Sequence, residues 1–205
     1  MSNLSLALGR PTLADRLLAR SLTTDILLVT AGAGLTAALA QIAVPLWPVP
    51  ITGQTLAVLL VGGTLGAARG TLAMLLYAAL GVVGLPVFSE ATSGWGVVAG
   101  PTGGYIIGFV FAAAFTGWLA QRSWDRKFLQ AALAFLGGTV VTFIFGLIWL
   151  SAALQLNLEQ TLQGGLYPFI IGGVIKALIA AALIPAVWWA ADRFGKRANR
   201  SQLGR

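Results

Sequence analysis

Lys176 stands alone in an apolar, helix-forming stretch, residues 170–191, in which no other residue is charged. An ammonium well inside a bilayer-length segment is costly against hydrocarbon, so it must face a cavity, a polar partner or a ligand, or snorkel to the headgroups. A lysine in a cavity offers a point positive charge and three N–H donors to an anion or a carbonyl. Two uncharged or nearly uncharged connections carry groups suited to the same ligand. The first, Val44-Pro45-Leu46-Trp47-Pro48-Val49-Pro50-Ile51-Thr52-Gly53-Gln54, packs three prolines into six residues and reads as a stiff strap. The second runs over residues 84–104 and holds Phe88, Thr92, Trp95 and the run Gly100-Pro101-Thr102-Gly103-Gly104-Tyr105. Glycines there allow close backbone approach, while Trp, Phe and Tyr offer flat walls with polar tips. Lys176 lies seven residues into its helix, roughly 10 Å from that end at 1.5 Å per residue, so two rigid aromatic loops above one buried cation describe a roofed pocket.

The missing residue types exclude most other chemistry. There is no Cys and no His, which removes thiolate nucleophiles, the Ser-His and Cys-His pairs, and most transition-metal and haem sites. No G-x-x-x-x-G-K-[ST] run occurs, so the chain has no P-loop of its own. A Ser-Lys pair from Ser93 or Ser151 with Lys176 lacks a supporting motif, and Glu90 and Glu159 fall in connections rather than mid-span. Neither a metal, a cofactor nor an enzymatic activity is expected.

The elements that must position these groups follow from composition. Hydrophobic residues make up 58% of the 205, charged residues 9%, and the mean hydropathy is +0.86, values of an integral membrane protein. The expected fold is an all-α polytopic bundle with six transmembrane helices over residues 26–44, 52–68, 71–83, 104–120, 128–154 and 169–191. With six spans, every Lys and Arg except Lys176 falls on one side: Arg10, Arg16 and Arg20 in the N-terminal tail, Arg69, then Arg122, Arg126 and Lys127, and the basic C-terminal tail. The positive-inside rule makes that side, and both termini, cytoplasmic. The net charge of +7 then reflects orientation and attraction to anionic membrane lipid, not nucleic acid. The domain reading is a tail over 1–25, a transmembrane binding domain over 26–191, and a basic tail over 192–205. The polar 1–25 segment has no cleavable-signal pattern.

The first helix carries small residues four apart, Ala33/Ala37 and Gly34/Ala38, a spacing that lets another helix approach closely. Packing within the bundle and docking of a second protein both suit it.

Taken together, Val49-Pro50-Ile51-Thr52-Gly53-Gln54-Thr55, Gly84-Leu85-Pro86-Val87-Phe88, Gly100-Pro101-Thr102-Gly103-Gly104-Tyr105, and Pro168-Phe169 with Lys176 resemble the BioY family in order and spacing, over about residues 25–190. The resemblance implies a biotin-specific substrate-binding (S) component of an energy-coupling factor transporter in the bacterial cytoplasmic membrane. Such a component works with a transmembrane coupling protein and two cytosolic ATP-binding subunits; solitary uptake without ATPases is the alternative. It also implies a biotin site drawn from Lys176, Gln54, Thr52, Thr92, Trp95, Tyr105, Phe88, Trp47 and Thr102, and a docking face from Ala33, Ala37, Gly34 and Ala38. The chain departs from the family pattern at Gly173, where many members have Asp, and at Ile106, where some have Arg.

Overall fold

Capping groups and glycines decide where the apolar runs become helices. A computed structural model describes the backbone of residues 10–203 and the side chains of residues 10–193. Residues 1–9 and the side chains of Lys196, Arg197, Arg200 and Arg205, all assigned above to cytoplasmic tails, lie outside the described residues. A short helix α1 (Leu13–Leu17) opens on a reciprocal cap, in which Asp15 N–H donates to Thr12 Oγ1 and Thr12 N–H donates to Asp15 Oδ2. Helix α2 (Leu22–Ala40) starts where Thr24 N–H donates to Ser21 Oγ at 3.1 Å. The proline strap then forms a small antiparallel hairpin, β1 (Ala43–Val44) against β2 (Ile51–Thr52), with Ala43 opposite Thr52. Helices α3 (Gln54–Leu65) and α4 (Ala67–Val82) meet at Gly66, whose φ of +84° suits glycine and breaks the apolar run into two helices.

The second half is longer. Helix α5 (Trp95–Ala99) is one short turn before α6 (Gly103–Ala120), and α7 (Phe128–Leu154) follows. Helix α8 (Leu158–Gly165) has a cap in which Gln160 N–H donates to Asn157 Oδ1 and Asn157 N–H to Gln160 Oε1, and α9 (Ile170–Leu203) contains Pro185. Helix α6 is central: it packs on α7, α3 and α4, while α2 packs on α4 and α9 on α7 and α3. Leu22–Ala40, Gly103–Ala120, Phe128–Leu154 and Leu158–Arg193 are long and apolar enough to cross a membrane; Gln54–Leu65 and Ala67–Val82 are apolar but shorter. The chain is thus a mostly helical, multi-pass membrane protein.

The charged residues taken from sequence as segment boundaries have a second role. Arg69 was expected in a connection between 52–68 and 71–83, and Asp25 at the end of a tail. Instead Arg69 lies in the first turn of α4 at 1% exposure, and Asp25 lies in α2 at 0%. The Arg69 guanidinium spans both acids, donating from Nη1 to Asp15 Oδ1 at 2.8 Å and from Nε to Asp25 Oδ1 at 2.7 Å. Arg20 reaches the other oxygen of Asp15 at 2.9 Å. This cluster fastens α1 beneath α2 and α4, with Leu13 and Ala14 buried alongside. Helix α1 therefore belongs to the folded body, not to a free tail. In the α6–α7 connection Asp125 turns inward at 2% exposure to accept from Trp188 Nε1, so Arg122, Arg126 and Lys127 are left facing outward.

Two outcomes test this cluster. Removing Arg69 takes a buried guanidinium away from two buried carboxylates, so Arg69→Met should cost about 3–5 kcal/mol in detergent unfolding measurements, whereas Arg16→Ala, which removes only the exposed pair to Asp192, should cost about 0–1 kcal/mol. Burial pushes the Asp15 carboxyl up, but hydrogen bonds from Arg20, Thr12 and Arg69 outweigh it and hold the group at about 2 against an ordinary 3.8. A folded value below the unfolded one stabilises above the unfolded value. The Asp15 contribution should therefore be full above about pH 4 and fade as pH falls toward 2, a loss that Asp15→Asn abolishes.

Candidate ligand-binding site

Side chains from both connections and four helices converge on one cavity. The strap contributes Val49 to Thr52, α3 contributes Gln54 and Thr55, and the loop after α4 contributes Phe88 and Ser89. Thr102, with Tyr105, Ile106 and Phe109 of α6, forms another side; Thr139 and Phe143 of α7, then Phe169, Gly173 and Lys176, complete the lining.

Glycine packing delivers two of the aromatic walls. A Cβ at Gly104 would sit 2.2 Å from Trp149 Cβ and 2.5 Å from Phe145 O, so glycine here lets α6 seat directly on α7 and brings Tyr105 inward. Tyr105 donates to Gly165 O at 2.7 Å, which ties α6 to the end of α8. Its ring lies 5.9 Å from Phe143, edge to face, and 6.4 Å from Phe169, stacked, while Phe143 and Phe169 are 5.9 Å apart. These three rings make a continuous aromatic wall. Phe88 reaches the cavity because Gly81 leaves room beneath it: a Cβ at Gly81 would lie 2.1 Å from Phe88 Cζ. Gln41 clamps the same loop, donating to Phe88 O at 3.1 Å and accepting from Ala91 N–H at 3.0 Å.

The polar groups form a linked set. Lys176 Nζ donates to Thr52 O across from α9 to β2. Thr52 Oγ1 donates to Gln54 Oε1 at 2.7 Å, and Gln54 Nε2 donates to Tyr77 OH at 2.5 Å. Thr102 Oγ1 is spent on Val97 O at 3.2 Å. Among the described residues no carboxylate pairs with Lys176. Glu90 and Glu159 are both exposed, and Glu159 accepts from Gln163. The site thus offers one cation, the remaining bonding capacity of a held amide, and aromatic and aliphatic walls. That set suits a small organic molecule with a polar or anionic end and an apolar body. Among the described residues there is also no cluster of carboxylates fit for a metal ion.

Of the residues singled out from sequence, Lys176, Gln54, Thr52, Tyr105, Phe88 and Thr102 are brought together in this cavity. Trp47, Thr92 and Trp95 are not. Trp47 is 82% exposed and Trp95 68% exposed, because the strap and the α5 turn hold those indoles outward. Thr92 is exposed and its hydroxyl donates to Ser89 O. Phe143 and Thr139, which line the cavity, were missed, since nothing in a largely apolar helix distinguishes a cavity-facing side chain from a lipid-facing one; Tyr77, behind the wall and bonded to Gln54, was missed as well. Phe169 was visible only as part of the Pro168-Phe169 pair. The small-residue face of α2 also divides: Ala33 is buried at 1% and Ala37 packs against the core, whereas Gly34 and Ala38 are exposed. Ala33 and Ala37 therefore serve internal packing, and Gly34 and Ala38, about 100° further round the helix, remain on the surface.

Comparison with known proteins agrees with this architecture. The model of the BioY family matches residues 10–193. The biotin transporter BioY of Rhizobium etli is 39% identical over 149 residues, 68% of this chain and 78% of the relative. The biotin transporter BioY2 of Lactococcus lactis subsp. cremoris is 36% identical over 152 residues, 74% of this chain and 83% of the relative. Among solved structures, that of the S-component for biotin from an ECF-type ABC transporter superposes with a TM-score of 0.73 at 26% identity, covering 80% of this chain and 90% of that one. On the strength of a family match that runs from α1 through the described part of α9, the chain belongs to the BioY family.

Proposed function

We propose that this chain captures biotin and serves as the membrane-embedded substrate-binding component of an energy-coupling factor transporter in the bacterial cytoplasmic membrane. The observation that carries the reading is the single cavity in which an aromatic wall of Tyr105, Phe143 and Phe169 shares a lining with the Lys176–Thr52–Gln54 set. Biotin has a carboxylate, a ureido group that both donates and accepts, and an apolar ring sulfide with an alkyl chain. The rings and Phe88 would pack its apolar body, Lys176 would meet an oxygen of the carboxylate or the ureido group, and Gln54 and Thr52 would complete the polar contacts. Tyr105 and Thr102 act mainly as wall, because their hydroxyls are already bonded. Trp47, Thr92 and Trp95 are left out of this ligand set. Family membership and the names of the relatives support the same substrate.

The proposed topology has six crossings, made by α2, α3, α4, α6, α7 and α9, with both ends of the chain in the cytosol. Helices α3 and α4 span about 18 and 24 Å at 1.5 Å per residue, so each would cross tilted or in locally thinned bilayer. The transmembrane domain would cover residues 26–191 with α1 held under it, and residues 192–205 would form the basic cytoplasmic end. Energy would come from partners, a transmembrane coupling protein and two ATP-binding subunits, with Gly34 and Ala38 of α2 the surface available for close helix docking.

Purified in detergent, the chain should bind biotin at one site by calorimetry, and failure of folded protein to bind would remove the reading. Lys176→Ala should weaken binding roughly ten- to hundredfold, the span of a lost charge-assisted hydrogen bond. Unchanged affinity in Lys176→Met would mean that the ammonium does not contact the ligand. Gly81→Ala, which adds only a methyl group, should also weaken binding by displacing Phe88, with a loss of about 1–3 kcal/mol in stability from overpacking. Cysteine labelling in intact cells should reach position 90 or 95 from outside and position 124 only after permeabilisation; the opposite pattern would invert the topology.

A further inference from the structure

Tyr77 has no place in the cavity wall, yet it is bonded to a residue that does. It sits in α4 at 0% exposure, its ring edge against Phe88 with centroids 5.5 Å apart and planes at 80°. A phenylalanine would fill that space equally well, so packing alone does not explain the hydroxyl. The hydroxyl accepts from Gln54 Nε2 at 2.5 Å, while Gln54 Oε1 accepts from Thr52 Oγ1 at 2.7 Å. Gln54 is 7% exposed, and its amide is held at both ends. A primary amide carries two N–H donors and two acceptor lone pairs, so one of each stays free after these bonds are made. The Tyr77 hydroxyl prevents the amide from turning about its terminal bond and holds that free pair in one orientation. Thr52, the other partner of the amide, accepts Lys176 through its carbonyl, so the orientation of Gln54 and the position of the ammonium share an anchor.

We infer that Tyr77 is a positioning residue for ligand binding, acting through Gln54 without touching the ligand. The inference rests on the reading of the cavity as a biotin site. Its test is a double-mutant cycle on the full-length chain in detergent, with biotin affinity by calorimetry and the unliganded unfolding midpoint measured for wild type, Tyr77→Phe, Gln54→Ala and the double variant. Tyr77→Phe should weaken biotin binding roughly three- to tenfold, as for one neutral hydrogen bond. In the Gln54→Ala background the same change should alter affinity less than about twofold, because the group through which it acts is gone. Equal losses in the two backgrounds, or no loss on wild type, would overturn the assignment. Should Tyr77→Phe fail to fold, 3-fluorotyrosine placed at position 77 gives a second readout. Its fluorine resonance should shift on saturation with biotin in the wild-type background and stay fixed in Gln54→Ala; a resonance unmoved by biotin in both overturns the inference. A wild-type chain that does not bind biotin overturns the underlying reading and this inference with it, whereas biotin binding with additive losses rejects Tyr77 alone.

Discussion

One cation inside a chain that is otherwise apolar at that depth must find an acceptor, and the Thr52 carbonyl is where Lys176 finds it. No water competes for polar groups within hydrocarbon, so a buried donor and a free carbonyl in the same bundle are drawn together and the elements carrying them come along. Thr52 belongs to the two-residue strand β2, whose backbone is paired with β1 and which follows directly on the prolines of the strap. The ammonium therefore fastens the strap to α9 and roofs the cavity in one contact. A bound ligand with an acceptor oxygen would share or replace that carbonyl, which makes the empty protein's own bond a competitor for the substrate.

The opposite end of the bundle solves the same problem with several charges instead of one. Arg69 lies between Asp15 and Asp25, all three removed from solvent, and with Arg20 on the other oxygen of Asp15 the charges balance locally and helix α1 is pinned in place. Asp125 is likewise turned inward onto Trp188. Buried ion pairs such as those of Arg69 cost desolvation and are weak sources of net stability, but removing one member from such a cluster is costly. Their contribution is to specify how α1, α2 and α4 meet, which in turn sets where α4 carries Tyr77 and Gly81 beneath the cavity.

Much of the site was legible because its chemistry is rare in this composition. A lone Lys176, a proline strap ending in Thr52 and Gln54, and a glycine run ending in Tyr105 are all departures from an apolar background, and the cavity unites them. The aromatic Phe143 was invisible for the converse reason: it is one apolar residue among many in α7, and only tertiary packing decides that it faces Tyr105. Exposed aromatics misled in the other direction. Trp47 and Trp95 stand in the right connections, but their loops hold them outward. Helix boundaries drawn at charged residues failed at Asp25 and Arg69, since paired charges can be buried inside helices; the true break at Gly66 follows from backbone geometry. On α2, a repeat of small residues gave the spacing of a docking face but not its direction, and burial shows that half of it is core.

The central claim is that the ligand lies under the strap, between the aromatic wall and Lys176. A structure of the chain with biotin bound tests it most directly. The account predicts the ring system packed against Tyr105, Phe143 and Phe169, with a ligand oxygen within hydrogen-bonding distance of Lys176 Nζ and the Gln54 amide still held by Tyr77. Biotin seated outside this cavity, against Trp47 and Trp95 or on the outer face of α2, would contradict it.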